Sequence, residues 1–159
     1  MAISRRHFFY GSLLAGAVPT GGFGSTPSLK MMGYKSPNEK LNVASIGAGG
    51  KAASDIRGCA ATENIVALCD VDDKSAANIY SAFEKPPKYK DWRKMLDKEQ
   101  NNLDAVIVTV PDFMHAVIAY NCMERGKHVY VQKPLTRTIW EAQEMMKAAN
   151  DALYSLDAP

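Results

Sequence analysis

The 159 residues are 47% hydrophobic and 23% charged with a net charge of +2, an ordinary globular balance that excludes a collagen, a fibre or a disordered chain. Arg5, Arg6, Lys30 and Lys35 all precede the first acidic residue, Glu39, and from Ser36 onward 15 basic residues face 17 acidic ones, a balance of −2. That leaves no electrostatic footprint for nucleic acid or for an anionic membrane surface, and the length fits a single hydrophobic core.

In chain order, the first feature is Ser4-Arg5-Arg6-His7-Phe8-Phe9, two adjacent arginines ahead of aromatic residues, followed by the mildly apolar stretch 11–18. It reads as a twin-arginine export signal, which predicts a periplasmic or otherwise exported protein. The apolar stretch is too short and glycine-rich for a stable membrane anchor. Residues 1–36 are therefore assigned to signal and linker, 40–150 to a folded domain and 151–159 to a short tail.

From Leu41 onward, short valine- and isoleucine-rich runs alternate with longer segments of helical spacing, the pattern of stacked βαβ units. Strands are predicted over 41–46, 65–69, 105–110 and 128–132, with a weak one at 88–89. Helices are predicted over 50–60, 73–83, 91–98, 113–125 and 138–150. Asp112 is the expected N-cap of the fourth helix and Gly126 its C-terminal glycine, Pro86-Pro87 the stop of the second, and Thr136 or Thr138 the cap of the last, with Glu141 completing a capping box. The fold class is α/β, a Rossmann-type doubly wound parallel sheet. Cys59, Cys69 and Cys122 form an odd set without a CxxC pair, so neither a disulfide framework nor a metal site is expected, and they read as small buried hydrophobes.

Gly47-Ala48-Gly49-Gly50-Lys51-Ala52 fits G-x-G-x-x-G/A between a strand and a helix. Gly47 suits the tight turn, Gly49 lets backbone approach a pyrophosphate, Gly50 continues the loop, and Ala52 is small enough for helix to pack on strand. Asp70 follows Gly47 by 23 residues, close to the spacing at which a carboxylate meets the adenosine ribose hydroxyls. A helix-capping or loop carboxylate is the alternative. Because an anionic Asp70 repels a 2′-phosphate and Val71, not an arginine, comes next, the expected cofactor is NAD in preference to NADP.

Thr109-Val110-Pro111-Asp112-Phe113-Met114-His115, Gly126-Lys127-His128-Val129-Tyr130-Val131 and Gln132-Lys133-Pro134-Leu135 closely resemble motifs of the glucose-fructose oxidoreductase, inositol dehydrogenase and rhizopine-catabolism family, Gfo/Idh/MocA. With the glycine loop, the resemblance spans 41 to about 150. It implies a nicotinamide-dependent oxidoreductase acting on a sugar or polyol hydroxyl, with Thr109, Pro111, His115, Lys133 and Pro134 among the cofactor contacts and Lys133 as the catalytic lysine beside the reacting hydroxyl. An isolated Lys-Pro would otherwise read as a surface lysine at a strand end. Gln132 departs from the commoner Glu-Lys-Pro pattern.

The resemblance also implies a second α/β substrate domain, for which 151–159 leaves no room. The expectation is thus a nucleotide-binding half whose sheet is incomplete at its C-terminal end and which lacks turnover alone. Two other classes stay open: a glycoside hydrolase using NAD in an oxidation-elimination cycle, and a non-enzymatic nucleotide-binding module, homo-oligomeric through its exposed sheet edge.

Overall fold

Buried parallel strands need apolar side chains on both faces, and the runs in this sequence supply them. A computed structural model describes residues 40–156, with side chains through 151. Strands β1 (Asn42–Ile46), β2 (Asn64–Cys69), β3 (Lys88–Tyr89), β4 (Ala105–Val108) and β5 (His128–Val131) pair parallel throughout in the order β3-β2-β1-β4-β5. The weak run at 88–89 is therefore a true strand, held beside β2 at Leu68 and Cys69.

Helices α1 (Lys51–Ala60) and α2 (Asp73–Ala82) cover one face, where Ala52, Ile56, Ala76 and Ile79 pack on Leu68. Helices α3 (Trp92–Glu99) and α4 (His115–Glu124) cover the other, where Trp92, Met95, Leu96, Ile118 and Cys122 meet Ile46, Val106 and Val108. Helix α5 (Ile139–Leu156) packs on α4 through Met145 against Ala116 and Ala119. Since β1 leads leftward to β2 while β4 lies to its right, the strand order reverses at the carboxyl ends of β1 and β4, the place where open α/β sheets bind ligands.

Local chemistry sets the element ends. Asp72 and Asp91 cap α2 and α3, accepting from the N–H groups of Lys74 and Arg93. Thr138 is the cap of α5: its Oγ1 accepts from the Glu141 N–H, and Glu141 Oε2 accepts from the Thr138 N–H, the reciprocal capping box. Gly126, at φ +69°, follows α4 as expected.

Three boundaries differ from the sequence reading. Asp112 does not cap a helix that begins at Phe113: a 3₁₀ turn, Asp112–Met114, comes first, because the Met114 N–H bonds the Pro111 carbonyl three residues back. Helix α2 ends at Ala82, ahead of Pro86-Pro87. Helix α5 continues to Leu156, into the segment read as a tail, since no glycine or proline interrupts it before Pro159. The apparent signal, 1–36, lies outside the described residues.

Among the described residues β5 is an edge strand, with Tyr130 56% exposed. A cavity of about 500 Å³ opens over β1, β4 and β5 on the α1 face, between Val43, Ile107, Val129 and the side of α1 at Asp55 and Cys59. Ile139 and Trp140 of α5 are 81% and 67% exposed. Cys69 and Cys122 are buried and Cys59 partly so, all as free thiols, and burial pushes the first two up to about 12. No helix among the described residues is long and apolar enough to cross a membrane.

Leu68 and Ile79 are fully enclosed between α1, α2 and the sheet. Leu68→Ala or Ile79→Ala should cost about 2–5 kcal/mol of unfolding free energy in urea titration, whereas Val71→Ala, at an exposed position, should leave the midpoint within about 0.5 kcal/mol.

Candidate functional site

The turn after β1 is built from contacts that tolerate no side chain at its first position. Gly47 has φ +94°, and a Cβ there would sit 1.9 Å from the Thr109 carbonyl oxygen on the neighbouring strand's loop. The chain can cross from β1 to α1 only as glycine. Gly49 is required for a different reason: a Cβ would lie 1.9 Å from Ser75 Oγ and 2.9 Å from the Ser75 carbonyl, so the loop packs directly on the first turn of α2. Gly50, at φ +52°, has open space where a side chain would be, and Ala52 is fully buried under the sheet, as the small third position of the motif demands. Buried Ser45 donates to the Gly47 carbonyl at 2.7 Å, a support that no motif announces.

Asp70 closes the loop from the side. Its Oδ2 accepts from the N–H groups of Ala48 at 2.8 Å and Gly49 at 3.1 Å, and its Oδ1 from that of Asp72 at 2.9 Å. A carboxylate offers about four lone-pair positions, so one on Oδ1 remains open. The N–H groups of Gly50 and Lys51 keep no partner among the described residues and stand at the positive end of α1, the arrangement that accepts a phosphate. Gly50 and Asp70 border a cleft of about 560 Å³ at the carboxyl ends of the strands, lined also by Val71, Thr109, Pro111 and Phe113. Lys90 reaches the same cleft, but its ammonium is already engaged by Asp73 and the Val71 carbonyl.

The other predicted residues divide. Thr109 and Pro111 are in the cleft wall. His115 is not: it is 2% exposed, with Nδ1 and Nε2 each 2.7 Å from a carbonyl oxygen, those of Pro134 and Val110. Its ring braces the loop after β4 against the loop after β5, with a ring nitrogen facing each carbonyl, and it does not line the cleft. Lys133 is exposed at the end of β5, and the Lys133–Pro134 peptide is cis.

Sequence reasoning missed Asp55. Its carboxylate accepts from Gln132 Nε2 at 2.9 Å and Thr109 Oγ1 at 3.1 Å and pairs with Lys51. Burial acts to raise this carboxyl, but the hydrogen bonds from Lys51, Gln132 and Thr109 overcome it and hold the group below its ordinary 3.8. Among the described residues no cluster of three His, Cys, Asp or Glu could hold a metal.

Gly47→Ala should abolish cooperative folding, whereas Gly50→Ala should cost about 1–3 kcal/mol for a strained backbone alone, both read by thermal unfolding. Because folding lowers the Asp55 carboxyl, its contribution is present above about pH 4 and is lost as pH falls through the folded value. Asp55→Asn should therefore flatten the acid limb of the urea midpoint against pH; an unchanged limb would count against the network.

Residues 41–154 match the family model described as an oxidoreductase family with an NAD-binding Rossmann fold, Gfo/Idh/MocA. Among curated proteins the chain is 28% identical over 137 residues to a glycosyl hydrolase family 109 protein of Solibacter usitatus, covering 79% of this chain and 31% of that protein. It is 31% identical over 84 residues to the levoglucosan dehydrogenase of Pseudarthrobacter phenanthrenivorans, covering 53% and 21%. Among solved structures, an NAD-binding oxidoreductase from Klebsiella pneumoniae superposes with TM-score 0.61 at 31% identity, over 72% of this chain and 32% of that one. The WlbA dehydrogenase from Chromobacterium violaceum, in complex with NADH and UDP-GlcNAcA, does so with TM-score 0.63 at 26% identity, over 73% and 34%. The chain spans about a third of the length of the glycosyl hydrolase family 109 relatives it matches. With the glycine loop, the switch-point cleft and the Lys-Pro turn all in place, this chain belongs to the Gfo/Idh/MocA oxidoreductase family and is built as its NAD-binding Rossmann domain.

Proposed function

We propose that these residues form the nucleotide-binding half of an NAD-dependent oxidoreductase acting on a sugar or polyol hydroxyl. The observation that carries the reading is the loop 47–52, with two unbonded N–H groups at the head of α1 and with Gly50 and Asp70 lining one cleft. The Gly50 and Lys51 N–H groups donate to a pyrophosphate, and the open lone pair on Asp70 accepts from a ribose hydroxyl. A 2′-phosphate would meet Asp70 and Asp72 with Lys90 already neutralised, which favours NAD over NADP. A bound nicotinamide supplies the hydride acceptor. Thr109 and Pro111 shape the wall on its side, and Lys133 holds the substrate hydroxyl by hydrogen bonding and relays its proton. Since Lys133 is exposed, these residues alone do not enclose a reacting hydroxyl, and turnover is assigned to a protein with more chain around it. The arginine pair Arg5-Arg6 directs export by the twin-arginine route, which carries proteins folded around their cofactor.

A second reading is favoured by the relatives named as glycosyl hydrolase family 109. In it the hydride leaves and returns within one cycle, so a glycosyl leaving group is released without net NADH.

Calorimetric titration of the full chain should show NADH binding, weaker binding of NADPH, and a loss of about tenfold or more in Asp70→Ala, the effect of removing hydrogen bonds to a charged group. No NADH binding would sink the cofactor reading, and NADPH bound as well as NADH would sink the preference. Arg5→Lys/Arg6→Lys should retain the protein in the cytoplasmic fraction; unchanged export would remove the signal assignment.

A further inference from the structure

Asp55 belongs to no motif in the sequence, yet three elements converge on it. The side chain lies on α1 just past the glycine loop and is 10% exposed. Its hydrogen-bond partners Gln132 and Thr109 stand 77 and 54 residues away. Gln132 follows β5 directly before Lys133, and Thr109 follows β4 two residues before Pro111. Lys51 supplies the cation that keeps the carboxylate ionised against its burial.

The carboxylate can only accept hydrogen bonds. Facing it, the Gln132 amide has one usable orientation, Nε2 toward Asp55 and Oε1 toward the Lys133 N–H, which donates to it at 3.2 Å. The Gln132 N–H is meanwhile fixed on the Val108 carbonyl at 3.0 Å. We propose that Asp55 is a positioning residue for the Lys133 segment: its carboxylate orients the Gln132 amide, and that amide holds the Lys133 backbone in one placement from which the ammonium reaches the substrate hydroxyl. The inference rests on the role proposed above for Lys133.

The identity of residue 132 is then set by residue 55. A carboxylate at 132 would oppose the carboxylate at 55, with no donor between them, and the repulsion would turn the side chain away from its place beside Asp55. Asparagine at 55 would reverse the pair, its Nδ2 donating to the glutamate while the second glutamate oxygen still accepts from Lys133.

The experiment uses the full chain as Gln132→Glu, Asp55→Ala and the double variant Asp55→Asn/Gln132→Glu, reading the ¹H–¹⁵N resonance of the Lys133 amide together with NADH affinity. Gln132→Glu and Asp55→Ala should each move that resonance and weaken NADH by about tenfold, the loss of a buried charge-assisted hydrogen bond. The double variant should return the resonance toward wild type and the affinity to within about threefold, a coupling that generic destabilisation does not produce. A Lys133 resonance unmoved in the single variants, or not restored in the double, overturns the proposal. Should wild type bind no NADH, the cofactor reading fails, and the amide comparison still decides the role of Asp55.

Discussion

Everything at the carboxyl edge of this sheet depends on how closely β1 and β4 approach where their connections part. The Thr109 carbonyl occupies the space a side chain at residue 47 would fill, while the Thr109 N–H bonds the Ile46 carbonyl at 2.9 Å. One strand's loop is thus the wall against which the other strand's turn is folded. Asp70 then fixes the turn from the β2 side by taking the N–H groups of Ala48 and Gly49. With those two amides satisfied internally, the outward-facing ones of Gly50 and Lys51 are left as donors, so the loop's strain-free geometry and its capacity to bind an anion have the same origin.

A second tier of contacts ties α1 and the ends of β4 and β5 into one body. Asp55 joins α1 to the ends of β4 and β5, and His115 bridges the loops that follow those strands through the Val110 and Pro134 carbonyls. The departure from Glu-Lys-Pro at residue 132 has its physical reason here: opposite a carboxylate a donor is required, and glutamine provides one where glutamate cannot.

The alternation of strands and helices was legible because period and composition are local properties, and so were Gly47, Ala52, Gly126 and the Thr138–Glu141 box, whose partners lie within a few residues or whose backbone demands are intrinsic. The position of Asp70 followed from spacing, but its bonds to the loop amides did not. Asp55 left no trace in the sequence since its partners are 54 and 77 residues off and an acidic residue inside an amphipathic helix ordinarily faces water. His115 was placed in the right loop, but its burial between the Val110 and Pro134 carbonyls was not legible, for sequence position does not reveal which way a ring turns. The start of α4 was misjudged because a proline at 111 favours a tight 3₁₀ turn before the helix can settle. Gly49 was read through its approach to a phosphate, whereas the nearest atoms to its missing side chain belong to Ser75.

The burial of the thiols has a consequence for their chemistry. Cys69 and Cys122 lie inside the core with their ionisation pushed up to about 12, and Cys59 is raised as well, first by burial and then by Glu63. Sulfur becomes nucleophilic only as thiolate, so in the folded chain the buried Cys69 and Cys122 are inert toward oxidants and alkylating agents at neutral pH. Each becomes reactive only when the packing around it opens. The folded chain can therefore carry unpaired cysteines in its core without mispairing, for as long as that packing holds.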